Sequence, residues 1–267
     1  MKSINNYINM KHINTYIVEK LKINKRKFSK YTLFPKDKHE LINMIKEEMK
    51  NNSNSCSLNH IDVSKITNMN YLFGGPLLVE FNGDISGWDT SNVERMAGMF
   101  TNSKFNNDSI CDWDVSNVTT MALMFHGNQV FNQNINDWDV SNVTDMEGMF
   151  CNNINFNQPL NKWDVSSVTN MGSMFEKTIF NQDISGWDVS NVERMEGMFE
   201  DNTEFNQPIG NWNVKSVKYF QYMFKNALSF DQDLSNWKPD NRVVADRDML
   251  KNTKISRKKK CKPSFLQ

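Results

Sequence analysis

Five aspartates occupy one position of an internal repeat, where stacked carboxylates could bind a cation. They are Asp89, Asp114, Asp139, Asp164 and Asp188. Carboxylates stacked at the spacing of neighbouring coils repel one another unless a cation compensates, as calcium does between the turns of some β-rolls. In the alternative, each aspartate accepts backbone N–H bonds from the Ser-Asn turn that follows it. Because the Gly-rich calcium-roll pattern is absent, and Asn213 and Lys238 replace the aspartate late in the series, we expect turn aspartates, no metal and no cofactor.

The tryptophans of the chain recur at intervals of 24 or 25 residues. They are Trp88, Trp113, Trp138, Trp163, Trp187, Trp212 and Trp237. A row of exposed indoles could stack on sugars or bases, whereas a row of buried indoles would form the structural spine of a core. Because each tryptophan recurs in phase with apolar residues of the core type, we expect the buried spine.

The histidines and cysteines have no catalytic or metal-ligand spacing. The histidines are scattered: His12, His39, His60 and His126. His126 follows a Met-Phe pair, at a variable position that we expect to face solvent. The cysteines favour reduced, unpaired thiols: Cys56, Cys111, Cys151 and Cys261. Since the sequence also lacks a Gly-rich phosphate loop and a His-x-x-x-His element, we predict that the chain is not an enzyme and has no catalytic residues.

The aspartates and tryptophans are set in a repeat unit of about 25 residues, of which Trp138–Phe150 is the clearest copy. A second half of the form Phe-Asn-Gln-x-Ile occurs at Phe131–Ile135, and Phe105–Ile110 has one extra residue. A first copy, Ile61–Phe73, lacks the tryptophan, and the last, Trp237–Leu250, is eroded. One unit cannot bury its own Trp, Val, Met and Phe, so the units must stack into a continuous core. We expect about eight coils.

The spacing of the apolar residues predicts the local structure of each coil. Spacings of 3, 3 and 1 are helical, and they separate Val143, Met146, Met149 and Phe150. Thr144 and Glu147 resemble a capping box at the start of this helix. The Phe-Asn-Gln-x-Ile-x-x-Trp half is typical of a short strand. Recurring asparagines in that half suit a buried amide ladder to the backbone of the neighbouring coil: Asn132, Asn157, Asn181 and Asn206.

The unit Phe-Asn-Gln-x-Ile-x-x-Trp-Asp-Val-Ser-Asn-Val-x-x-Met-x-x-Met-Phe resembles the repeat of BspA-like leucine-rich-repeat surface proteins. The resemblance covers about residues 61–250, and the segment from Phe34 to Ile42 resembles the usual lead-in. It implies a leucine-rich-repeat-like solenoid and, for surface members, adhesion or protein binding, with no catalytic residues. Because Met1–Lys11 contains no apolar stretch and no small-residue cleavage site, we expect neither a signal peptide nor the lipid attachment of surface members. We therefore expect an intracellular protein, of a bacterial cytoplasm or a virus-infected cell.

The sequence thus predicts an α/β repeat solenoid with one short strand and one short helix or 3₁₀ turn per coil, and a helical N-terminal cap. Residues 1–57 are expected to form a basic segment with a capping helix near 37–50, for which Asp37 is the cap. Residues 58–250 form the solenoid, and residues 251–267 form a basic, disordered tail.

The charge of the chain is zero overall, but basic ends flank an acidic body. Residues 1–50 carry 12 Lys/Arg and 5 Asp/Glu, residues 251–267 carry 7 basic and no acidic residues, and the middle keeps 12 basic and 26 acidic residues. The acidic body disfavours nucleic acid. The basic tail could associate weakly with nucleic acid or an acidic surface through Arg257, Lys258, Lys259, Lys260 and Lys262.

Our leading hypothesis is a non-catalytic scaffold that binds a protein through one face of the solenoid. Variation is concentrated between the recurring columns, for example in the stretches 125–131 and 175–180. An alternative hypothesis is a self-associating structural or surface component. Since no run of 18 apolar residues exists, we expect no membrane span.

Overall fold

The computed structural model describes residues 31–240 and 243–266. The basic segment before residue 31, with His12, lies outside the described residues. Helix α1 spans Lys38–Asn51 and begins after Asp37, whose carboxylate accepts the N–H of Glu40 at 2.9 Å. It lies where the sequence predicts a capping helix. Leu41 and Ile45 of α1 are fully buried in the common core, so α1 closes the core at its N-terminal end.

Successive repeats lie side by side and pair in parallel through one residue each. The series of β-bridges is unbroken: Asn68–Arg95, Arg95–Thr120, Thr120–Asp145, Asp145–Asn170, Asn170–Arg194, Arg194–Tyr219 and Tyr219–Ala245. One further parallel bridge joins Leu33 to Ile61. No longer strand occurs in the described residues. The bridges lie directly before the first Met position of the unit, not in the Phe-Asn-Gln half, where the sequence predicts a strand.

The segment predicted to be a short helix or 3₁₀ turn is a run of tight turns, in which the Met149 N–H, for example, donates to the Met146 carbonyl at 3.2 Å. Two residues of each repeat after the first have a left-handed φ, Gly148 at +57° and Asn152 at +59° in the clearest copy. An α-helix requires φ near −63°, so it cannot continue through these positions. The capping box is also wrong, because the Thr144 hydroxyl donates to the Thr119 carbonyl at 3.2 Å in the preceding repeat.

Alternate backbone N–H groups of this segment donate to the next repeat, and we call the segment the ladder. In the clearest copy the donors are Met146, Gly148, Phe150 and Asn152, and the acceptors are the carbonyls of Asn170, Gly172, Met174 and Glu176, at 2.8–3.0 Å. The amides between them close turns within the repeat, as Cys151 does to the Gly148 carbonyl at 3.0 Å. Every N–H from Met146 to Asn153 therefore has an acceptor.

The extra residue of Phe105–Ile110 is accommodated in a 3₁₀ helix, Asp108–Ile110. The Asn107 side chain caps it and accepts the N–H of Ser109 at 2.9 Å. The insertion is thereby confined to one turn, and Trp113 keeps its place in the tryptophan column, with its ring 6.2 Å from that of Trp88.

Columns of identical residues stacked along the array form one continuous core. The phenylalanines after the second Met stack with ring centroids 5.3–5.7 Å apart: Phe73, Phe100, Phe125, Phe150, Phe175, Phe199 and Phe224. The tryptophans are 0–5% exposed. Each indole N–H donates to a backbone carbonyl of the preceding repeat at 2.9–3.3 Å, which satisfies its one polar atom inside the core.

Residues 251–266, which the sequence predicts to be a disordered tail, fold against the last repeat, and we call them the C-terminal cap. They contain three 3₁₀ helices: Ile255–Arg257, Lys259–Cys261 and Ser264–Leu266. Ile255 is fully buried, and the Phe265 ring lies 5.1 Å from the Phe220 ring. The prediction was wrong because it considered only charge, whereas the apolar residues of the segment cover the end of the core.

Trp138 tests how much the tryptophan column stabilises the array. Trp138→Ala should lower the free energy of unfolding by about 3–5 kcal/mol, because it opens a large cavity. Trp138→Phe keeps part of the packing but removes one of the two donors to the Ile110 carbonyl, which keeps the Trp113 N–H at 3.2 Å, so we expect a smaller loss of about 1–3 kcal/mol. Urea unfolding followed by circular dichroism measures both. A loss below about 1 kcal/mol for the alanine variant would contradict a core role.

Candidate interaction face

Each aspartate of the recurring column closes the turn that follows it. Asp139 Oδ1 accepts the backbone N–H of Ser141 at 3.1 Å and its hydroxyl at 2.6 Å. The same backbone bond occurs at 3.0–3.3 Å for Asp89, Asp114, Asp164 and Asp188. The hydroxyl and N–H of Ser116 hold the pKa of Asp114 below its ordinary value. Among the described residues, no three His, Cys, Asp or Glu side chains form a group that could hold a metal ion.

A second column of polar side chains joins each repeat to the next. Each asparagine of the Phe-Asn-Gln motif accepts the N–H of its counterpart in the following repeat, from Asn82 to Asp231, at 2.8–3.0 Å. The glutamine adds a second bond, as Gln207 does to the Asn181 carbonyl at 2.8 Å. The predicted bonding from Asn132, Asn157, Asn181 and Asn206 to the neighbouring backbone is confirmed. These side chains are half-buried rather than buried.

The fully buried amides lie elsewhere, at a column that the sequence analysis missed. Its members are Asn128, Asn153 and Asn202. Asn153 donates to the Phe131 carbonyl at 3.1 Å and accepts the N–H groups of Asn155 and Phe156 at 3.3 and 3.2 Å. All its strong polar groups are thus satisfied inside the core. The signal in the sequence is an asparagine three residues after the Met-Phe pair.

The residue type varies from repeat to repeat in three columns of the ladder, which we call the variable face. The bridge column reads Asn68, Arg95, Thr120, Asp145, Asn170, Arg194, Tyr219 and Ala245. The column two residues later reads Asn70, Ala97, Ala122, Glu147, Gly172, Glu196, Gln221 and Arg247. The column after the Met-Phe pair reads Gly74, Thr101, His126, Cys151, Glu176, Glu200, Lys225 and Lys251. Two of these residues come from the variable stretches of the sequence: His126 from 125–131 and Glu176 from 175–180.

The column after the Met-Phe pair is more buried than the sequence predicts. Cys151 is 5% exposed and His126 is half-buried, whereas we expected solvent there. The left-handed residue that follows turns these side chains towards the neighbouring repeat; the Thr101 hydroxyl, for example, donates to the His126 carbonyl at 3.1 Å. Burial lowers the pKa of His126 and raises the pKa of Cys151 to about 12. A thiol of this kind is protonated at neutral pH and is not a nucleophile.

The charge of the variable face is concentrated in three repeats. In the repeats of residues 138–211 five side chains of the variable face are acidic, Asp145, Glu147, Glu176, Glu196 and Glu200, and one, Arg194, is basic. Ion pairs cross to the next repeat from Glu200 to Lys225 at 2.6 Å and from Glu193 to Lys218 at 2.8 Å. Burial raises the pKa of Asp145, which accepts the N–H of Glu147 at 3.1 Å. The centre of the face is therefore acidic, with basic side chains along its C-terminal border.

An aromatic and cationic group, which we call the Tyr219 cluster, lies at that border. The Arg194 guanidinium lies 4.8 Å from the Tyr219 ring centroid, and the Lys225 ammonium lies 4.8 Å from that of Tyr222. These distances are within the range of cation–π attraction. Tyr219 and Tyr222 are both half-buried, so the rings are held in place yet reach the surface.

Two acceptor oxygens beside the Tyr219 cluster have no hydrogen-bond donor. They are Glu196 Oε2 and Gln221 Oε1, buried atoms at the same column in neighbouring repeats. The other Glu196 oxygen accepts from Arg194. A buried polar atom without a partner is costly, and such atoms are uncommon in native structures. The cluster therefore combines ordered aromatic surface with unmet acceptors.

The basic residues predicted for a free tail now have defined positions in the C-terminal cap. Arg257, Lys259 and Lys260 are exposed. Lys258 pairs with Asp231 at 2.5 Å, and this hydrogen bond raises the pKa of the Lys258 ammonium. Lys262 is half-buried. The cap thus presents a basic surface at one end of the array, away from the acidic repeats.

The stacked repeats and their variable face define a tandem-repeat protein. The chain belongs to the family described as Mycoplasma protein of unknown function, DUF285, whose model matches residues 39–151, 102–179 and 155–261. Comparisons with curated proteins and with solved structures gave no match. Within residues 31–240 and 243–266, no helix is long and apolar enough to span a bilayer.

A variant of Asp139 distinguishes the two roles considered for the aspartate column, closing a turn and binding calcium. Asp139→Asn keeps an acceptor for the Ser141 N–H, so we expect a loss of stability below about 1 kcal/mol. The melting temperature of the unmodified chain should not change when millimolar calcium replaces a chelator. Differential scanning calorimetry measures both. A rise of several degrees with calcium that Asp139→Asn reduces would establish a metal column instead.

Proposed function

We propose that the chain is a non-catalytic repeat scaffold that binds a protein partner through the variable face. The observation that carries this proposal is the contrast between surface columns. The Asp-x-Ser turns and the Asn-Gln column repeat one residue type, because each makes a fixed hydrogen bond. The variable face has no such uniform type, although its backbone is as regular as the rest. Varied side chains on a rigid frame are typical of recognition surfaces in repeat proteins.

The Tyr219 cluster supports a defined centre for this binding. Tyrosine and arginine are enriched at the few interface residues that contribute most of the binding energy. Arg194 and Tyr219 already hold one another in place, so little side-chain entropy is lost when a partner covers them. Ordered aromatic residues of this kind suit a protein surface.

The local charge supports a partner that presents basic side chains. Residues 138–211 are strongly acidic, so complementary potentials favour a partner surface rich in Lys or Arg. We therefore expect basic side chains of the partner against the acidic centre of the variable face.

The same proposal includes the finer class of the fold. We infer a leucine-rich-repeat-like solenoid of the BspA-like type, in which the ladder takes the place of the usual strand. One parallel bridge per repeat and a continuous stacked core support it. In solenoids each repeat contacts its neighbours alone, and an extended regular surface is available to a partner.

A capture experiment with matched variants tests the proposed function. The chain, immobilised on beads, is incubated with lysate of the native host, and retained proteins are quantified by mass spectrometry. The double variant Arg194→Ala and Tyr219→Ala should retain the specific partner at least about 30-fold less, because truncating central interface residues costs about 2 kcal/mol or more.

The control is the double variant Asp112→Ala and Asp137→Ala, which alters exposed residues outside the variable face. It should retain the same partner as the unmodified chain. Circular dichroism and melting curves establish that all variants are folded. The proposal fails when the unmodified chain enriches no protein over empty beads, or when the cluster variant retains its partner as well as the control does.

A further inference from the structure

One loop of most repeats exposes a large apolar side chain. The loop lies between the phenylalanine of the Met-Phe pair and that of the Phe-Asn-Gln motif, for example between Phe150 and Phe156. Eight large apolar side chains of the described residues are exposed, and five of these are in such loops. The five are 37–66% exposed: Leu77, Val130, Ile154, Ile179 and Leu228. The exposed apolar surface of the described chain is thus concentrated in one set of loops.

The stacking of the repeats places these loops next to one another. The rings of Phe150 and Phe175, where two neighbouring loops begin, lie 5.7 Å apart. The Asn155 side chain joins its loop to the preceding one by donating to the Gln129 carbonyl at 2.6 Å. Exposed side chains of five successive loops therefore form a row, which we call the loop row: Lys104, Val130, Ile154, Ile179 and Glu204. Contiguous exposed apolar surface with polar residues at its rim marks sites of protein interaction.

The order of side chains along the loop row is complementary to its own reverse. Ile154 lies at the centre, Val130 and Ile179 flank it, and the two ends carry opposite charges. A two-fold axis at Ile154 would place Ile154 against the Ile154 of a second copy, and Val130 against Ile179. It would also place Lys104 of each copy against Glu204 of the other. Apolar side chains would thus meet in the middle and opposite charges at both ends.

Other arrangements of two loop rows lack this complementarity. If the rows ran parallel and in register, Lys104 would face Lys104 and Glu204 would face Glu204, and like charges across an interface are unfavourable. If the two-fold axis lay one repeat away, at Val130 or at Ile179, Ile154 would face Lys104 or Glu204. A charge covered by an apolar side chain loses water without gaining a partner. The axis at Ile154 alone satisfies both the apolar and the charged positions.

We propose that two copies of this chain form an antiparallel dimer through the loop row, with the two-fold axis at Ile154. Such an isologous interface closes on itself, so association stops at the dimer. The same axis brings together the loops of the first and seventh repeats, whose Leu77 and Leu228 are 66% and 53% exposed. Because the interface is only one loop wide, the dimer is weak and forms at high concentration. This inference does not rest on the proposed function, since the loop row contains no residue of the variable face.

Sedimentation equilibrium of the full chain tests the dimer with two charge reversals. The unmodified chain should approach the mass of a dimer, and not exceed it, as its concentration rises to hundreds of micromolar. Lys104→Glu should weaken association at least about tenfold, because two carboxylates then meet at each end of the row. Glu204→Lys should do the same with two ammonium groups. An equimolar mixture of these two single variants should associate like the unmodified chain, because each end then pairs an acid with a base.

A further pair of variants tests the centre of the row. Ile154→Glu places two carboxylates together at the axis and should also weaken association at least about tenfold. Its matched control is Val244→Glu, at a residue outside the loop row that is 63% exposed, which should associate like the unmodified chain. Melting curves check that every variant is folded. The Arg194→Ala and Tyr219→Ala double variant should still dimerise, which separates this interface from the partner site of the variable face.

Three results would each overturn the dimer. The first is an unmodified chain that stays monomeric at hundreds of micromolar, or that grows beyond the dimer. The second is a mixture of folded Lys104→Glu and Glu204→Lys chains that associates no better than either variant alone. The third is equal association of Ile154→Glu and Val244→Glu.

Discussion

The inter-repeat ladder is the constraint on which the rest of the structure depends. Two left-handed residues per repeat, such as Gly148 and Asn152, turn the backbone so that alternate N–H groups point at the next repeat. Those groups have no acceptor inside their own repeat. Because unpaired backbone groups are costly away from water, a single repeat cannot satisfy itself, and its neighbour completes it. The hydrogen bonds of the ladder hold neighbouring repeats in register, so that their phenylalanines and tryptophans stack.

The ladder also explains how the chain tolerates repeats of unequal length. Phe150 and Phe156 are six positions apart, and Asn153 between them bonds across to the preceding repeat. Phe175 and Phe180 are five positions apart, and there Thr178 bonds within its own turn, to the Phe175 carbonyl at 2.8 Å. The buried polar residue changes with the loop length. The ladder stays in register on both sides, so variation is absorbed in the loops.

The period, the core columns and the aspartate turns could be predicted from the sequence, because each depends on local spacing and residue type. The helix could not be distinguished from the turns, since Val143, Met146 and Met149 face the core in either conformation. The left-handed φ of Gly148 excludes a helix. In other repeats the residue with this left-handed φ is not glycine but Leu123 or Ser173. A sequence pattern cannot show that these side chains adopt a left-handed conformation, because neighbouring repeats impose it.

The C-terminal cap and the Tyr219 cluster escaped prediction for a related reason. The run of lysines led to the prediction of a disordered tail. The apolar residues Ile255 and Phe265 of the same segment instead cover the end of the core. The cluster joins Arg194 to Tyr219, which are 25 positions apart and become neighbours only through the ladder. In both cases the contacting residues belong to different parts of the array. The sequence pattern of one repeat does not show which residues lie beside it in the folded chain.

Deletion of whole and partial repeats tests the central role of the ladder most directly. Deleting residues 139–163 removes one complete repeat and rejoins Trp138 to Asp164 in register. This shortened chain should unfold cooperatively in urea, and its free energy of unfolding should fall less steeply with urea concentration because unfolding exposes less surface. Deleting residues 139–150 alone removes one rung of the ladder and should abolish the cooperative transition. The ladder does not have this role if the variant lacking residues 139–150 unfolds cooperatively and is as stable as the variant lacking residues 139–163.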